Sequence, residues 1–263
     1  MKYVLVTGAY GGMGCATVDA LVARGFFVFA MDRIVDAPKD HVYPLAVDVT
    51  CENSVKAAFD TVRSITTSLY AIVHYAGIYM LDSLAEMDPQ SFTRIFAVNL
   101  QGAFLVNRTF MPLMDVGSRI LITTSELAVL DPLPFTGVYA VSKCALDRYA
   151  FSLRMELQLR DISVSVLRAG AVDTNMIDVS TDALSVFCEK TKTYSCNADR
   201  FRKIVNGVEA RRVPPTKVAD KSVRILMSKR PRFAYSINRN PLLLLLNALP
   251  SWLQFRIIRK ILR

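Results

Sequence analysis

Short apolar runs alternate along this chain with longer segments whose apolar residues recur at helical spacing. The apolar runs predict strands over Lys2–Val6, Phe26–Met31, His41–Val47, Leu69–His74, Arg119–Thr123 and Ser163–Arg168. The helical spacing predicts helices over Gly12–Arg24, Glu52–Ser64, Ser91–Leu113 and Val138–Leu159. Continuous apolar strands that alternate with helices are typical of a parallel sheet buried on both faces. We therefore predict an α/β fold with one doubly wound parallel sheet and right-handed crossovers.

The chain shows no internal repeat and no low-complexity linker. Residues 1–240 are therefore predicted to form one domain, and residues 241–263 a C-terminal extension. Hydrophobic residues make up 52% of the sequence, which excludes a disordered protein. No apolar stretch approaches the roughly 18 to 20 residues that a membrane-spanning helix needs.

The charge is distributed unevenly along the chain. The net charge is +9, yet residues 200–263 contain 16 Lys and Arg, with Glu209 and Asp220 as their acidic residues. The first 199 residues are net acidic, so the last quarter is the part expected to meet an anionic partner. This basic region has no nucleic-acid recognition motif, and its charges are interleaved with leucine and isoleucine. Lipid is thus favoured over nucleic acid as that partner.

The cysteines and the N-terminus suggest where the protein resides. The five cysteines are scattered, odd in number and without a Cys-x-x-Cys pair, as expected of free thiols in a reducing compartment. With two histidines in the chain, a histidine-rich metal centre is not expected. The apolar run after Lys2 is too short for a signal peptide. We therefore expect a cytoplasmic protein without a bound metal.

A glycine-rich segment, Thr7-Gly-Ala-Tyr-Gly-Gly-Met-Gly14, joins the first predicted strand to the first predicted helix. A tight turn at this junction brings backbone N–H groups and a positive helix end to a pyrophosphate. The glycines Gly8, Gly12 and Gly14 follow the spacing G-x-x-x-G-x-G. The position of the motif favours a Rossmann-type dinucleotide site over a glycine-rich turn without a ligand.

Three charged residues bear on the choice of cofactor. Asp32, at the end of the second predicted strand, could accept hydrogen bonds from both ribose hydroxyls and would repel a 2′-phosphate. The neighbouring Arg33 could instead hold that phosphate, so NAD is favoured and NADP stays an alternative. Asp48 follows the third strand, where it could bind the adenine amino group or cap the helix that begins near Glu52.

The pattern Tyr139-Ala-Val-Ser-Lys143 places a phenol and an ammonium four residues apart, on one face of a predicted helix. An ammonium beside a phenol stabilises the phenolate, so Lys143 is expected to lower the pKa of Tyr139 from about 10. A tyrosine tuned in this way can transfer a proton near neutral pH. Ser125 lies upstream and carries a neutral hydroxyl suited to a substrate oxygen.

Together these motifs make the chain resemble the short-chain dehydrogenase/reductase family over nearly its whole length. The family's structural Asn-Asn-Ala-Gly segment corresponds to His74-Tyr75-Ala76-Gly77, and its catalytic asparagine to Asn99. Its Pro-Gly segment corresponds to Ala169–Thr174. The resemblance implies the catalytic set Asn99, Ser125, Tyr139 and Lys143. The implied cofactor contacts are Thr7, Gly8, Gly12, Met13, Gly14, Asp32, Arg33, Asp48, Val49, Ala76, Gly77, Tyr139, Lys143, Val172 and Thr174.

Three features depart from the family pattern. His74 and Tyr75 replace two asparagines, so the hydrogen bonds that brace the sheet there must differ; we interpret His74 as structural. Ala169 replaces a proline. Ser125 precedes Tyr139 by 14 positions, about one more than usual. Thr124 or Glu126 could therefore occupy the serine position instead, although Ser125 has the neutral hydroxyl that the chemistry needs.

The resemblance implies reversible hydride transfer between nicotinamide C4 and an alcohol or carbonyl carbon, in a homodimer or homotetramer. In this family the segment after Thr174, here residues 175–210, covers the active site. Its apolar residues Met176, Ile177, Val179, Leu184, Val186 and Phe187 could line a ligand pocket or pack on the core. The C-terminal pattern is similar to the retinol and steroid dehydrogenase branch, which favours a lipophilic alcohol or ketone. The alternatives are a reductase of a small polar carbonyl compound and a nucleotide-sensing protein without turnover.

The last residues form a cationic amphipathic helix, with Pro250 and Ser251 at its predicted start. At helical spacing Leu253, Ile257, Ile258, Ile261 and Leu262 share one side, and the basic residues Arg256, Arg259, Lys260 and Arg263 share the other. With the interfacial Trp252, such a segment could lie in the headgroup plane of an anionic membrane. The other interpretation is a terminal helix that packs on the protein. Residues 241–263 are accordingly predicted to make peripheral membrane contact.

Overall fold

We describe the protein from a computed structural model, which covers residues 1–195, 197, 200–203 and 212–263 and, within 175–182, the backbone alone. Seven parallel strands form one sheet in the order β3-β2-β1-β4-β5-β6-β7. The strands are β1 Lys2–Thr7, β2 Phe26–Asp32, β3 Val42–Ala46, β4 Leu69–His74, β5 Met114–Ser125, β6 Ser163–Ala169 and β7 Ala234–Ile237. The strand order reverses between β1 and β4, which confirms the predicted doubly wound α/β fold.

Helices cover both faces of this sheet. They are α1 Gly12–Val22, α2 Glu52–Ile65, α3 Pro89–Phe96, α4 Gly102–Phe110, α5 Gly137–Leu157, α6 Asn175–Lys190 and α7 Pro215–Met227. Two C-terminal helices follow, Pro241–Asn247 and Ser251–Leu262, and we refer to this pair as the lid. Among the described residues, no helix is long and apolar enough to cross a bilayer.

The two faces of the sheet bury separate apolar clusters. On one face, Phe29 and Ile120 pack with α2, α4 and α5. On the other face, Val4 and Val28 pack with α1 and α7. Burying each such side chain stabilises the fold by roughly 1.5–3 kcal/mol, which explains why these strands consist of continuous apolar runs.

Two segments differ from the sequence prediction. The predicted helix Ser91–Leu113 is interrupted by a π-helical turn, Ala97–Gln101, which periodicity does not reveal. The strand β7 was not predicted, because its four residues are only partly buried and lie at the edge of the sheet. Its pairing extends the sheet beyond β6 and leads the chain back toward the carboxyl ends of the strands.

His74 and Tyr75 brace the centre of the molecule in place of the family's two asparagines. The His74 ring is buried, with Nε2 2.9 Å from the Asn107 amide oxygen and Nδ1 3.5 Å from the Thr7 hydroxyl. The Tyr75 hydroxyl accepts a hydrogen bond from Thr17 on α1 and contacts Ser222 on α7 at 2.6 Å. Both side chains therefore have structural roles. Burial lowers the pKa of His74 to about 4, so the ring is neutral at physiological pH.

The depressed pKa of His74 predicts an acid-sensitive stability. The unfolded chain takes up a proton near pH 6.5 and the folded chain does so only near pH 4, so stability is lost as the pH falls through this interval. A shift of this size corresponds to about 3 kcal/mol. We expect His74→Asn to remove this part of the stability loss at low pH. The free energy of unfolding is measured by urea unfolding between pH 4 and 7. The matched control, His41→Asn at an exposed ring, should retain the loss; equal slopes in all three proteins would contradict the assignment.

Candidate active site

The candidate site lies at the carboxyl ends of β1, β4, β5 and β6, beside the point where the strand order reverses. Ligands bind in this crevice in open α/β sheets. A cavity of about 560 Å³ opens here, and the side chains of Ser125, Tyr139 and Lys143 line its floor. Its volume and its largely apolar lining are in the range of small-molecule sites.

The glycine loop has the tight geometry that a dinucleotide requires. Gly8 adopts a positive φ of 66°, and a Cβ atom on Gly14 would lie 2.0 Å from the Gly8 carbonyl oxygen. A Cβ on Gly12 would meet the Thr174 side chain at 2.6 Å. Helix α1 begins at Gly12 without a side-chain cap among the described residues, so its first N–H groups can bind a phosphate. These residues fit the pyrophosphate of a dinucleotide.

Asp32 is held at the tip of β2, beside the glycine loop. Its Oδ2 accepts a hydrogen bond from the Tyr10 N–H at 3.0 Å, and its Oδ1 accepts one from the Arg33 N–H at 2.8 Å. The Arg33 side chain is exposed. The carboxylate is thus fixed where an adenosine ribose would approach, and the guanidinium extends from the next position along the chain.

Asp48 stabilises a turn that precedes α2. Its Oδ1 accepts hydrogen bonds from the Thr50 hydroxyl at 2.7 Å and the Thr50 N–H at 2.9 Å, and these bonds lower the pKa of the carboxyl. The residue directly before α2 is Cys51. The prediction that Asp48 caps this helix is therefore wrong in detail, because the carboxylate acts three residues further upstream.

Some predicted cofactor contacts are side chains that face the protein interior. Thr7 is fully buried, and its hydroxyl accepts a hydrogen bond from the Ala76 N–H at 3.3 Å. Val49 is buried, and its side chain lies where a Cβ on Gly102 would be. These two side chains support the loops of the site, whereas Met13 and Gly77 line the cavity.

Asn99 lies in the π-helical turn and joins three segments. Its Oδ1 accepts a hydrogen bond from the Ile78 N–H at 2.8 Å, and its Nδ2 donates to the Ile78 carbonyl and the Ser142 hydroxyl, both at 3.0 Å. A Cβ on Gly77 would lie 3.2 Å from both the Asn99 Oδ1 and the Lys143 Nζ. The structure therefore brings Asn99 next to Lys143.

Ser125, rather than its neighbours, faces Tyr139. Both residues line the cavity, and the Ser125 side chain lowers the pKa of Tyr139 against the effect of burial. The Thr124 hydroxyl instead donates to Asp147, and the Glu126 carboxylate accepts from the Asn240 N–H at 2.7 Å. A short 3₁₀ turn, Glu126–Ala128, follows Ser125 in the segment where the sequence predicts an extra loop residue.

Burial dominates the titration of Tyr139 and Lys143. It raises the pKa of Tyr139 above its usual range; the nearby Tyr79 adds to this rise and the Ser125 side chain opposes it. Burial also lowers the pKa of Lys143 to about 8. The Lys143 Nζ lies 5.8 Å from the centre of the Tyr139 ring. The prediction that Lys143 lowers the pKa of Tyr139 is therefore wrong for this structure, because both groups are desolvated.

The segment after β6 closes the site on its far side. The Ala171 carbonyl accepts hydrogen bonds from the Val213 N–H at 3.3 Å and from the Asn238 amide at 2.8 Å. Val172 and Thr174 line the cavity beside Met13. These bonds hold the segment in place, although Ala169 stands where the family has proline.

The lid forms much of the cavity wall, which the sequence analysis did not foresee. Its cavity-lining side chains are Leu242, Leu243, Leu245, Leu246, Leu249, Ile257, Ile258, Ile261 and Leu262. The aliphatic side of the last helix lines the cavity, which agrees with the second interpretation, a terminal helix that packs on the protein. Membrane contact by residues 241–263 stays a prediction. A periodic pattern shows that a helix has an apolar side, but it does not reveal what that side covers.

The described side chains of the segment 175–210 divide between the core, the surface and the cavity. Leu184 and Phe187 pack with Leu81 and Leu262 in a small buried cluster, and Val186 is exposed. Phe201 lines the cavity. The side chains of Met176, Ile177 and Val179 lie outside the described residues, as do residues 196, 198–199 and 204–211.

Tyr79 is a residue of the site that the sequence analysis missed, and Glu126, considered there for the serine position, has a different place in the structure. Tyr79 lines the cavity with its ring centre 4.9 Å from that of Tyr139, and Glu126 lies between Ser125 and the lid. Burial raises the pKa of Glu126. Neither position belongs to a motif, and each becomes visible only when the chain folds.

The arrangement can hold and move a proton in an apolar cavity. A half-buried phenol and a serine hydroxyl line the same cavity, so both can donate hydrogen bonds to a carbonyl oxygen. The glycine loop and Asp32 lie on the adjacent side of the crevice. Among the described residues, no cluster of histidine, cysteine or acidic side chains could hold a metal.

Comparison with known proteins agrees with this geometry. The sequence profile of the short chain dehydrogenase family matches residues 2–184. Estradiol 17-beta-dehydrogenase 2 from Mus musculus is 30% identical over 187 residues, which span 66% of this chain and 49% of that protein. The uncharacterized oxidoreductase YbbO from Escherichia coli K12 is 29% identical over 245 residues, 90% of this chain and 85% of that protein.

The fold is also shared with solved structures. A 3-ketoacyl-(acyl-carrier-protein) reductase from Brucella melitensis, solved with NADH, superimposes with a TM-score of 0.72 at 20% identity. The superposition covers 90% of this chain and 96% of that one. The matched region thus spans about half of the mouse steroid dehydrogenase and nearly all of the bacterial reductase. With its profile match over most of the sequence, its parallel sheet and its serine, tyrosine and lysine in one crevice, this chain belongs to the short-chain dehydrogenase family.

Proposed function

We propose that this chain catalyses reversible hydride transfer between a nicotinamide cofactor and an alcohol or carbonyl carbon of a lipophilic substrate, such as a steroid or retinoid. The observation that carries the proposal is the Ser125–Tyr139 hydroxyl pair at the floor of a cavity roofed by aliphatic side chains. The cofactor, when bound, supplies the hydride chemistry at its nicotinamide C4. The protein supplies orientation and the proton.

Each polar residue of the floor has a role in this reaction. Tyr139 donates a proton to the carbonyl oxygen in reduction and takes the alcohol proton in oxidation. Ser125 donates a hydrogen bond to the same oxygen, where charge develops. Lys143 holds the nicotinamide ribose, and Asn99 positions a water that relays the proton onward from Lys143. The positions of the Asn99 Oδ1 and the Lys143 Nζ, each 3.2 Å from where a Cβ on Gly77 would lie, support this relay.

The lid supports a lipophilic substrate. Its leucine and isoleucine side chains form one wall of the cavity, and a polar molecule bound against that wall would lose its hydration without finding hydrogen-bond partners. The mouse relative is named as a dehydrogenase of estradiol, which is a lipophilic alcohol. A small sugar or polar acyl compound fits this lining less well.

We also propose a homodimer or homotetramer. Helices α4 and α5 carry exposed apolar side chains at Phe104, Val141, Phe151 and Met155. Such a patch is costly in water, and pairing with a second copy would bury it.

We further propose that the enzyme works in the cytoplasm with peripheral contact to anionic membranes through residues 241–263. Arg256, Arg259, Lys260 and Arg263 are all exposed on the last helix. The aromatic Trp252 is exposed on the same helix.

Removing the phenol of Tyr139 should abolish most turnover. With Tyr139→Phe we expect kcat to fall by a factor on the order of 10² to 10⁴, because the proposed proton donor is lost, while cofactor binding stays nearly unchanged. Steady-state kinetics and cofactor titration measure the two quantities. Tyr149→Phe, on the same helix and outside the cavity, is the matched control and should retain turnover. Near-normal activity in Tyr139→Phe would exclude this residue as the proton donor.

Asp32 should make the enzyme prefer NAD over NADP, because its carboxylate faces the position of a 2′-phosphate. We expect kcat/KM to be higher with NAD, and Asp32→Ala to shift the ratio toward NADP. The control Asp40→Ala removes the same charge from an exposed side chain nearby and should leave the ratio unchanged. A clear NADP preference that persists in Asp32→Ala would show that Arg33 sets the choice instead.

The aliphatic wall should make kcat/KM rise with the apolar area of the substrate. Each additional buried methylene group contributes about 0.8 kcal/mol, so a series of secondary alcohols should gain several-fold per carbon until the cavity is filled. Turnover with both cofactors is measured across that series and across steroids, retinoids and sugar ketones. The best activity on a small polar carbonyl compound, with no gain along the series, would favour the polar-substrate reductase instead.

A further inference from the structure

We propose that the lid is a door between the cavity and an anionic bilayer: its outer surface binds lipid headgroups, and the lipophilic substrate passes through it without crossing water. This inference rests on the proposed substrate class and goes beyond simple membrane contact. It assigns one surface, the lid, as the route by which substrate enters and product leaves.

The lid is thin enough to serve as a door. Leu242 and Leu245 line the cavity, yet their residues are 67% and 66% exposed. Ile261 likewise lines the cavity and is largely exposed. The same side chains therefore belong to the inner wall and to the outer surface, so the cavity opens at this part of the molecule.

The lid also has exposed apolar side chains that are not part of a buried core. Trp252 and Phe255 are 58% and 72% exposed and lie outside the cavity lining. Large exposed aromatic residues are costly in water but suit the boundary between headgroups and acyl chains. We refer to Trp252, Phe255, Leu242 and Leu245, four exposed apolar side chains of the lid, as the apolar rim.

The positive charge of the lid favours anionic lipid as its partner. Arg256, Arg259, Lys260 and Arg263 are exposed on the same helix, and the Arg256 guanidinium lies 5.3 Å from the centre of the Trp252 ring. No acidic residue follows Asp220 in the sequence. A second copy would bring the same positive charges to this surface and would be repelled, whereas anionic lipid attracts them. An apolar rim with a basic surround therefore fits a bilayer better than a self-interface.

The lid is tied to the loop that follows the catalytic serine. The Asn240 N–H donates to Glu126, and the Gln254 amide donates to the Asp131 carboxylate at 3.0 Å. The Asn247 amide oxygen accepts from the Asp131 N–H. These bonds anchor the lid on the loop after Ser125, and Leu262 anchors its last turn in the buried cluster with Leu184 and Phe187. Leu242 and Leu245 stay exposed between these anchors and are the part of the lid proposed to face lipid.

Vesicle binding tests the surface. The full chain is co-sedimented with phosphatidylcholine vesicles that contain, or lack, 30% phosphatidylserine. We expect binding that depends on the anionic lipid and falls at least 10-fold in the double variant Trp252→Ser, Phe255→Ser. The double variant Val116→Ser, Leu159→Ser removes exposed apolar residues near the amino ends of β5 and β6, at the end of the sheet away from the cavity, and should bind normally. Absence of wild-type binding at low salt would overturn the proposal.

Kinetics test the route. We expect the Trp252, Phe255 variant to lose at least 10-fold in kcat/KM for a steroid alcohol carried in vesicles, with kcat/KM for water-soluble cyclohexanol unchanged. A variant that leaves vesicles but keeps its activity on the vesicle-borne steroid would show that substrate enters through water.

A readout without turnover separates this inference from the proposed function. The rate at which a fluorescent sterol moves from vesicles to the protein should fall with vesicle binding in the same variant. Sterol transfer without turnover of any alcohol would refute the proposed function but support the entry route through the lid. Turnover without lid-dependent sterol transfer would refute the entry route through the lid but support the proposed function. Loss of dimers in the variant, without wild-type vesicle binding, would identify the rim as an interface between copies.

Discussion

The buried amide of Asn99 joins three segments that are far apart in the sequence. It satisfies both backbone groups of Ile78 after β4 and donates to Ser142 on α5, so the loop, the π-helical turn and the catalytic helix are fixed relative to one another. An unpaired amide buried in this position would cost about 1–3 kcal/mol. The positions of Tyr139 and Lys143 at the cavity floor therefore depend on this junction.

Desolvation explains why this floor can accept an apolar substrate. Burial favours the neutral forms of both Tyr139 and Lys143, which keeps the phenol protonated and brings the amine near its point of titration. A cavity with few fixed charges excludes water and strengthens each remaining hydrogen bond. In the proposed reaction, the serine hydroxyl would then act on the substrate oxygen with little competition from solvent.

The sheet and the polar floor were largely accessible to sequence reasoning, because each depends on local patterns. Buried strands are continuous apolar runs, the glycine loop needs residues without a Cβ atom, and Tyr139 and Lys143 share a helix face through spacing alone. The π-helical turn at Asn99, the edge strand β7 and the contact of Tyr79 with Tyr139 depend on tertiary packing and have no such pattern. The pKa of Tyr139 was misjudged because spacing shows which charge is near and does not show how much water is lost.

The lid is attached to the rest of the protein as one contiguous stretch at the C-terminus. The family profile ends at residue 184, well before Asn240, so the conserved machinery and the cavity roof lie in separate parts of the sequence. A roof of this kind can change without altering any strand of the sheet or any residue of the proton-transfer floor. Under the proposed function, exchange of residues 241–263 would change the choice of substrate and leave the proposed proton-transfer residues in place.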